Sequence, residues 1–278
     1  MRIQLFSDLH LERYPAFAPL VAPDTDVVVL AGDIGSYQAG SRLATDDFGL
    51  ERFSPLRPGA PSARVLYIPG NHEFDGLEFE HAYLRLRATC DALGIEWLDR
   101  ETITIGQVRF IGTTLWSDFD ALAQQEPLLA KQLQRREKAF RAANYYLSKN
   151  TTLKDGVPVL AEGLRAMSLE CQDWLRGALE LPFDGATVVV THFAPSLQSA
   201  DPRYGLVPGT AGFCNALDAL FPLADVWMHG HLHCANDYTV TGTRQDGRPW
   251  SCRVLANPLG YLSKGEQDAF RPALVVEL

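Results

Sequence analysis

Residues 26–33 read Asp-Val-Val-Val-Leu-Ala-Gly-Asp, five apolar residues in a row, three of them β-branched, stopped by a glycine and a carboxylate. A strand with one wet face alternates apolar with polar residues. An unbroken apolar run of this length marks a strand covered on both faces, as in layered α/β architectures. The same pattern recurs at residues 2–7, 64–69, 107–114, 186–192 and 225–231, each run ending in a polar cluster. Residues 236–243, 252–256 and 272–278 alternate instead, which predicts antiparallel or edge strands completing a second sheet, with turns at Thr241-Gly242 and Asp246-Gly247.

Helical periodicity covers residues 77–93, 122–147 and 160–179. The middle stretch carries Lys131, Arg135, Arg136, Glu137, Lys138 and Arg141. Its charge predicts a solvent-facing helical pair inserted between strands, around residues 118–160, and substrate recognition is expected there. No repeat or domain linker interrupts the chain. The expected fold class is α/β (α+β), one domain over residues 1–278 with this helical insert.

Composition bounds the function. The 278 residues are 46% hydrophobic and 21% charged, which supports a large buried core and excludes disordered, collagenous and coiled-coil classes. No apolar run approaches the roughly 20 residues that span a bilayer, and Asp8 comes too early for a signal peptide, so a cytoplasmic location is expected. Five scattered cysteines with no C-x-x-C pair argue against a disulfide framework or a thiolate zinc site. The net charge of −9 opposes strong nucleic-acid binding and membrane-surface association, leaving room for a phosphate substrate only where local positive charge overrides it.

Five of the seven histidines stand in polar clusters at predicted strand ends: Asp8-x-His10, Gly32-Asp33, Gly70-Asn71-His72-Glu73, Thr191-His192 and Gly230-His231-Leu232-His233. The carboxyl ends of parallel strands share one edge, so these clusters are expected to form one site. Asp8, Asp33, His10, His192, His231, His233 and Asn71 make a mixed nitrogen and oxygen donor set suited to Mn, Fe, Zn or Ni. Seven donors exceed what one ion uses, whereas two ions sharing a carboxylate use them all. Two dications against two carboxylates leave about +2 of local charge, enough to attract a phosphate ester. A water ionised between two such ions is a nucleophile for phosphorus.

The ordered set D-x-H, GD, GNH, H, GH-x-H resembles that of the calcineurin-like metallophosphoesterase superfamily. The resemblance implies a four-layer α/β/β/α sandwich with a dinuclear site at the carboxyl ends of the strands. It implies Asp8, His10 and His233 at one metal, Asn71, His192 and His231 at the other, and Asp33 bridging them. His72 would sit beside the substrate as acid or phosphate-polarising group. After Asp33 the chain reads Ile34-Gly35-Ser36-Tyr37, without the acidic partner and arginine of phosphoprotein phosphatases, and Tyr37 falls one place too late for the tyrosinate of purple acid phosphatases. Ser7-Asp8-Leu9-His10 looks closer to small bacterial phosphodiesterases and nucleases.

The expected activity is hydrolysis of a small phosphodiester or nucleotide by a metal-bridging hydroxide. Phosphomonoesterase, nuclease on short or single strands, and non-catalytic metal-binding scaffold are the alternatives. An acidic partner for His72 is not identifiable. His229 and His81 are read as structural and surface residues. For the substrate pocket the candidates are Arg203 as phosphate cation, Tyr204 and Phe193, with Trp116, Tyr145 and Tyr146 as further aromatic possibilities.

Overall fold

The computed structural model describes all 278 residues. The strands are β1 (Arg2–Phe6), β2 (Val27–Ala31), β3 (Arg64–Ile68), β4 (Glu96–Trp97), β5 (Glu101–Ile105), β6 (Val108–Thr113), β7 (Leu153–Lys154), β8 (Val157–Pro158), β9 (Ala186–Thr191), β10 (Val226–His229), β11 (Asn236–Thr243), β12 (Pro249–Ala256) and β13 (Val275–Glu277). The helices are α1 (Phe79–Leu93), α2 (Leu129–Leu147) and α3 (Ala161–Glu180). One sheet has the order β13-β1-β2-β3-β4 and the other β11-β12-β10-β9-β6-β5.

The apolar run of β2 is explained by what covers it. Val27, Val29 and Ala31 join Ile3, Leu5, Leu66 and Ile68 against Val108, Phe110, Val188, Val190, Val226 and Met228 of the other sheet, in a 16-residue seam. Val28 and Leu30 face the opposite way, into a larger cluster with Ala82, Leu86 and Cys90 of α1. On the far sheet, Ile111, Val189 and Val254 belong to that cluster together with Leu164, Cys171 and Leu175 of α3. The result is an α/β/β/α sandwich, and both faces of the central strands are dry.

Strands β1 to β4 pair in parallel, as do β6, β9, β10 and β12, so the loops leaving β1, β2, β3, β9 and β10 emerge along one edge. Backbone pairing continues past the strands: Asp8 N–H donates to Gly32 O at 2.9 Å, His10 N–H to Asp33 O at 3.1 Å, and Gly230 N–H to His192 O at 3.0 Å.

Four expectations are corrected. The last strand does not join the second sheet; β13 pairs antiparallel with β1 at the edge of the first. The helical insert holds one α-helix, α2, not a pair, because Leu122 and Ala123 are buried in the loop before it and the chain after it turns into the short β7–β8 hairpin. Thr241-Gly242 makes no turn; both residues lie within β11, paired with Ser251 and Trp250 of β12. Strand β5 was not expected, although Thr102-Ile103-Thr104-Ile105 alternates; it covers the edge of β6.

Candidate metal centre

Asp8, His10, Asp33, His231 and His233 all have positive φ, between 47° and 73°, a region that non-glycine residues rarely enter. Such strain costs of order 1–3 kcal/mol per residue. Burying one Val or Leu returns roughly 1.5–3 kcal/mol, so the seam beneath can hold all five in place. The neighbouring backbone approaches closely as well. A Cβ on Gly230 would stand 2.6 Å from Asp8 Oδ2, and one on Gly70 would collide with Asp33 Oδ1, so both positions admit only glycine.

Side-chain carboxylates fasten these loops. Glu73, fully buried, accepts N–H groups from Gly70 at 2.8 Å, Asp33 at 3.0 Å and Ile34 at 2.7 Å. Burial and the neighbouring Asp33 carboxylate raise it to about 8. Asp8 accepts the His231 N–H at 2.9 and 3.1 Å, and Asp33 Oδ1 accepts the His72 N–H at 2.8 Å.

Two donor groups result. Donor atoms of Asp8, His10, Asp33 and His233 lie within 4.8 Å of one another, as do those of Asp33, His192 and His231, and Asp33 belongs to both. Asn71 Oδ1 lies 3.3 Å from His192 Nε2. His10 and His233 point their Nε2 atoms at each other, 3.0 Å apart, while their Nδ1 atoms face Glu12 at 3.1 Å and Glu266 at 2.7 Å. His192 Nδ1 faces Ala31 O at 2.8 Å. Each Nδ1–H donates to a carboxylate or carbonyl, which leaves Nε2 as the nitrogen turned inward to offer a lone pair to a cation.

Asp33 Oδ2 decides what these atoms suit. It is buried, lies 3.2 Å from His192 Nε2 and 4.0 Å from His72 Nε2, and accepts no hydrogen bond. An orphaned buried carboxylate oxygen among inward lone pairs is a place for cations. Burial opposes ionisation of Asp33, but His192, His72 and His10 outweigh it and hold the carboxyl well below its usual range. Burial likewise opposes charge on His192, and Asp33 overrides it, raising the imidazole to about 9, so a cation bound between them takes the place of the Nε2 proton. His231 moves the other way, depressed by burial and by His192. The donor set fits a pair of divalent ions.

A family profile described as calcineurin-like phosphoesterase matches residues 1–235. The chain belongs to that family. Among curated relatives of this phosphoesterase is an uncharacterized protein of Acanthamoeba polyphaga mimivirus, 21% identical over 229 residues, 77% of this chain and 74% of the relative. Among solved structures, a phosphopantetheinyl hydrolase (PptH) from Mycobacterium tuberculosis superposes with a TM-score of 0.66 at 19% identity, covering 96% of this chain and 92% of that one. The phosphoesterase is therefore a phosphoric ester hydrolase of a family that works with paired divalent ions, and no helix of it is long and apolar enough to cross a membrane.

The structure supplies the partner of His72 that the sequence left unidentified. His72 Nδ1 lies 2.5 Å from Asp75 Oδ2, and Asn150, in the loop after α2, donates to the same oxygen at 2.7 Å. Burial disfavours charge on His72, yet Asp33 and Asp75 together raise it to about 10. Asp75 stands three residues on, a spacing that becomes a contact only because 72–74 form a 3₁₀ turn.

The pocket candidates fare differently. Phe193 is buried, its ring 3.9 Å from that of His231, so it supports an imidazole and offers no open face. Phe213, not anticipated, is partly exposed on the same ring at 5.0 Å. Arg203 is gripped by Asp201 through Nε and Nη2 at 2.6–3.1 Å, and Tyr204 is 65% exposed beside it. Trp116 is buried against Phe74 and Phe193, whereas Tyr145 and Tyr146 are exposed on α2. His229 is buried and bonded to Ser199 Oγ at 3.0 Å, burial holding it neutral at about 4.

Proposed function

We propose that this phosphoesterase hydrolyses a small phosphodiester or nucleotide at the edge where the two donor groups meet, within one domain whose insert at about residues 118–160 borders the site. Asp8, His10 and His233 would hold one ion, Asn71, His192 and His231 the other, with Asp33 shared. The observation that carries this is the unpartnered Asp33 Oδ2 common to both groups. When bound, paired divalent ions neutralise phosphoryl charge and lower the pKa of water; which of Mn, Fe, Zn or Ni serves is set by geometry and supply.

The chain's own residues do the rest. Asp75, steadied by Asn150, holds the proton on His72 Nδ1, leaving Nε2 turned toward Asp33 Oδ2. In its imidazolium form His72 can pass the Nε2 proton to the departing ester oxygen, and a positive imidazole also attracts the substrate. Asp201 takes the Nε and Nη2 edge of Arg203, and the half-exposed guanidinium keeps Nη1 as a candidate phosphate contact, with the Tyr204 ring 5.5 Å away. Because the fold neighbour is named for phosphopantetheinyl hydrolysis, phosphopantetheine esters join nucleotides among the substrates to try.

The test compares bis(p-nitrophenyl) phosphate with p-nitrophenyl phosphate on manganese-loaded protein, with Asp33→Asn as the contamination control. A higher kcat/KM for the diester is expected, with loss of more than about a thousandfold in the variant, since removing the shared carboxylate costs several kcal/mol of stabilisation. A higher value for the monoester overturns the diesterase assignment, and full activity in Asp33→Asn overturns the site.

A further inference from the structure

The chain beyond residue 235 lies outside the family match, yet it returns to the candidate centre. Residues 257–266, between β12 and β13, lie across the end of β1. Leu259 N–H donates to Ser7 O at 3.2 Å, Gly260 N–H to Asp8 O at 3.0 Å, and Leu262 N–H to Tyr14 Oη at 2.6 Å. Two side chains of this strap touch the imidazoles. The Tyr261 ring stacks on His10 with centroids 4.4 Å apart and 25° between planes, and stands edge-on to His233 at 5.0 Å. Glu266 places Oε2 2.7 Å from His233 Nδ1, and the same oxygen accepts the Tyr261 N–H at 2.8 Å.

Glu266 is nearly inaccessible, at 4% side-chain exposure, and makes no ion pair with any lysine or arginine. A buried carboxylate with a histidine as its only ionic partner acts on that histidine. An imidazole without a partner on one nitrogen can flip or change tautomer. A carboxylate on Nδ1 removes both freedoms and makes Nε2 a stronger donor.

Resting on the metal-centre reading above, we propose that Glu266 is a positioning residue: it fixes His233 with the proton on Nδ1 and the Nε2 lone pair aimed at Asp8 and His10, and so sets the affinity of the ion these three would hold. Glu12 does the equivalent for His10 from two residues away. Glu266 does it from 33 residues beyond His233, across a loop that the family match leaves out.

The experiment is competition for Zn²⁺ and for Mn²⁺ against a chromophoric chelator, on metal-stripped wild type, Glu266→Ala and Glu266→Gln, with melting of each stripped protein alongside. Wild type should bind two ions. Glu266→Ala should bind one of them about 10–100-fold more weakly with the other unchanged. Glu266→Gln keeps an oxygen that can accept a hydrogen bond from Nδ1–H and should lose only several-fold at that ion. Unchanged affinity for both ions in Glu266→Ala overturns the proposal and leaves the centre standing. Equal weakening of both ions together with a collapsed melting temperature makes Glu266 a structural residue and also overturns it. If Glu266→Ala does not fold, the Gln variant decides, with several-fold loss at one ion in support and none against. A wild type that binds no ion pair overturns the metal-centre reading itself.

Discussion

The two halves of the candidate centre are built differently around their shared carboxylate. In the half of Asp8, His10 and His233, each imidazole is backed by a glutamate and flanked by the Tyr261 ring. In the half of Asn71, His192 and His231, the backing is a backbone carbonyl behind His192 and the rings of Phe193 and Phe213 against His231. The first half also owns a carboxylate of its own, Asp8; the second has only Asp33, which it shares. Charge and basicity therefore favour the first half as the tighter cation site, and the exposed rim near Phe213 favours the second as the side open to a substrate.

Breaking what the halves have in common should cost most. His72 stands over the shared Asp33 and 5.2 Å, ring to ring, from His10. His72→Ala should lower kcat by about 10²–10⁴-fold with both ions retained, and by more for esters with poor leaving groups. Equal losses for good and poor leaving groups would contradict the acid role. Asn150→Ala, which removes one hydrogen bond from Asp75, should cost only a few-fold in kcat.

A smaller effect separates the halves. Chelator titration of the two-ion protein should proceed in two steps, and the tighter ion should be the one abolished in His10→Ala, the looser one in His231→Ala. Simultaneous release, or the reverse assignment, would show that the carboxylate backing does not rank the halves.

The smallest effect concerns thiols. Cys90, Cys171, Cys214 and Cys252 are buried, and burial pushes Cys171, Cys214 and Cys252 up to about 12, so almost no thiolate forms below pH 9. Cys234, beside His233, is only partly covered. Native protein at pH 8 should release one equivalent in a disulfide-exchange thiol assay and denatured protein five. More than one equivalent in the native state would mean that the sandwich opens on the assay timescale.

Much of this was readable in the chain because the information is local. The unbroken apolar runs predicted the doubly covered strands to within a residue or two, since a strand with two dry faces has nowhere to place a polar side chain. Polar residues directly after such runs must lie at the carboxyl edge, which is why Asp8, Asp33, Asn71, His72, His192, His231 and His233 could be grouped from five separate segments. The edge strand β5 and the membership of β13 were less legible. A half-exposed strand has a weak pattern, and its sheet is chosen by which edge is left uncovered, a property of neighbours and not of its own residues.

The sequence by itself determined the doubly covered strands of a layered α/β fold and the inventory of donors at its edge, because both follow from hydrophobic periodicity and from where a buried strand must stop; the four-layer sandwich was what the resemblance of its motifs implied. Tertiary structure alone decided the supports: Asp75 and Asn150 behind His72, Phe193 buried under His231, Arg203 turned onto Asp201, and Glu266 brought back to His233. Such partners are selected by proximity and direction over 33 to 75 residues of intervening chain in the longest cases, and no composition or spacing rule encodes a contact across that distance. They are set only when the loops are closed against one another and each buried polar atom must find its partner.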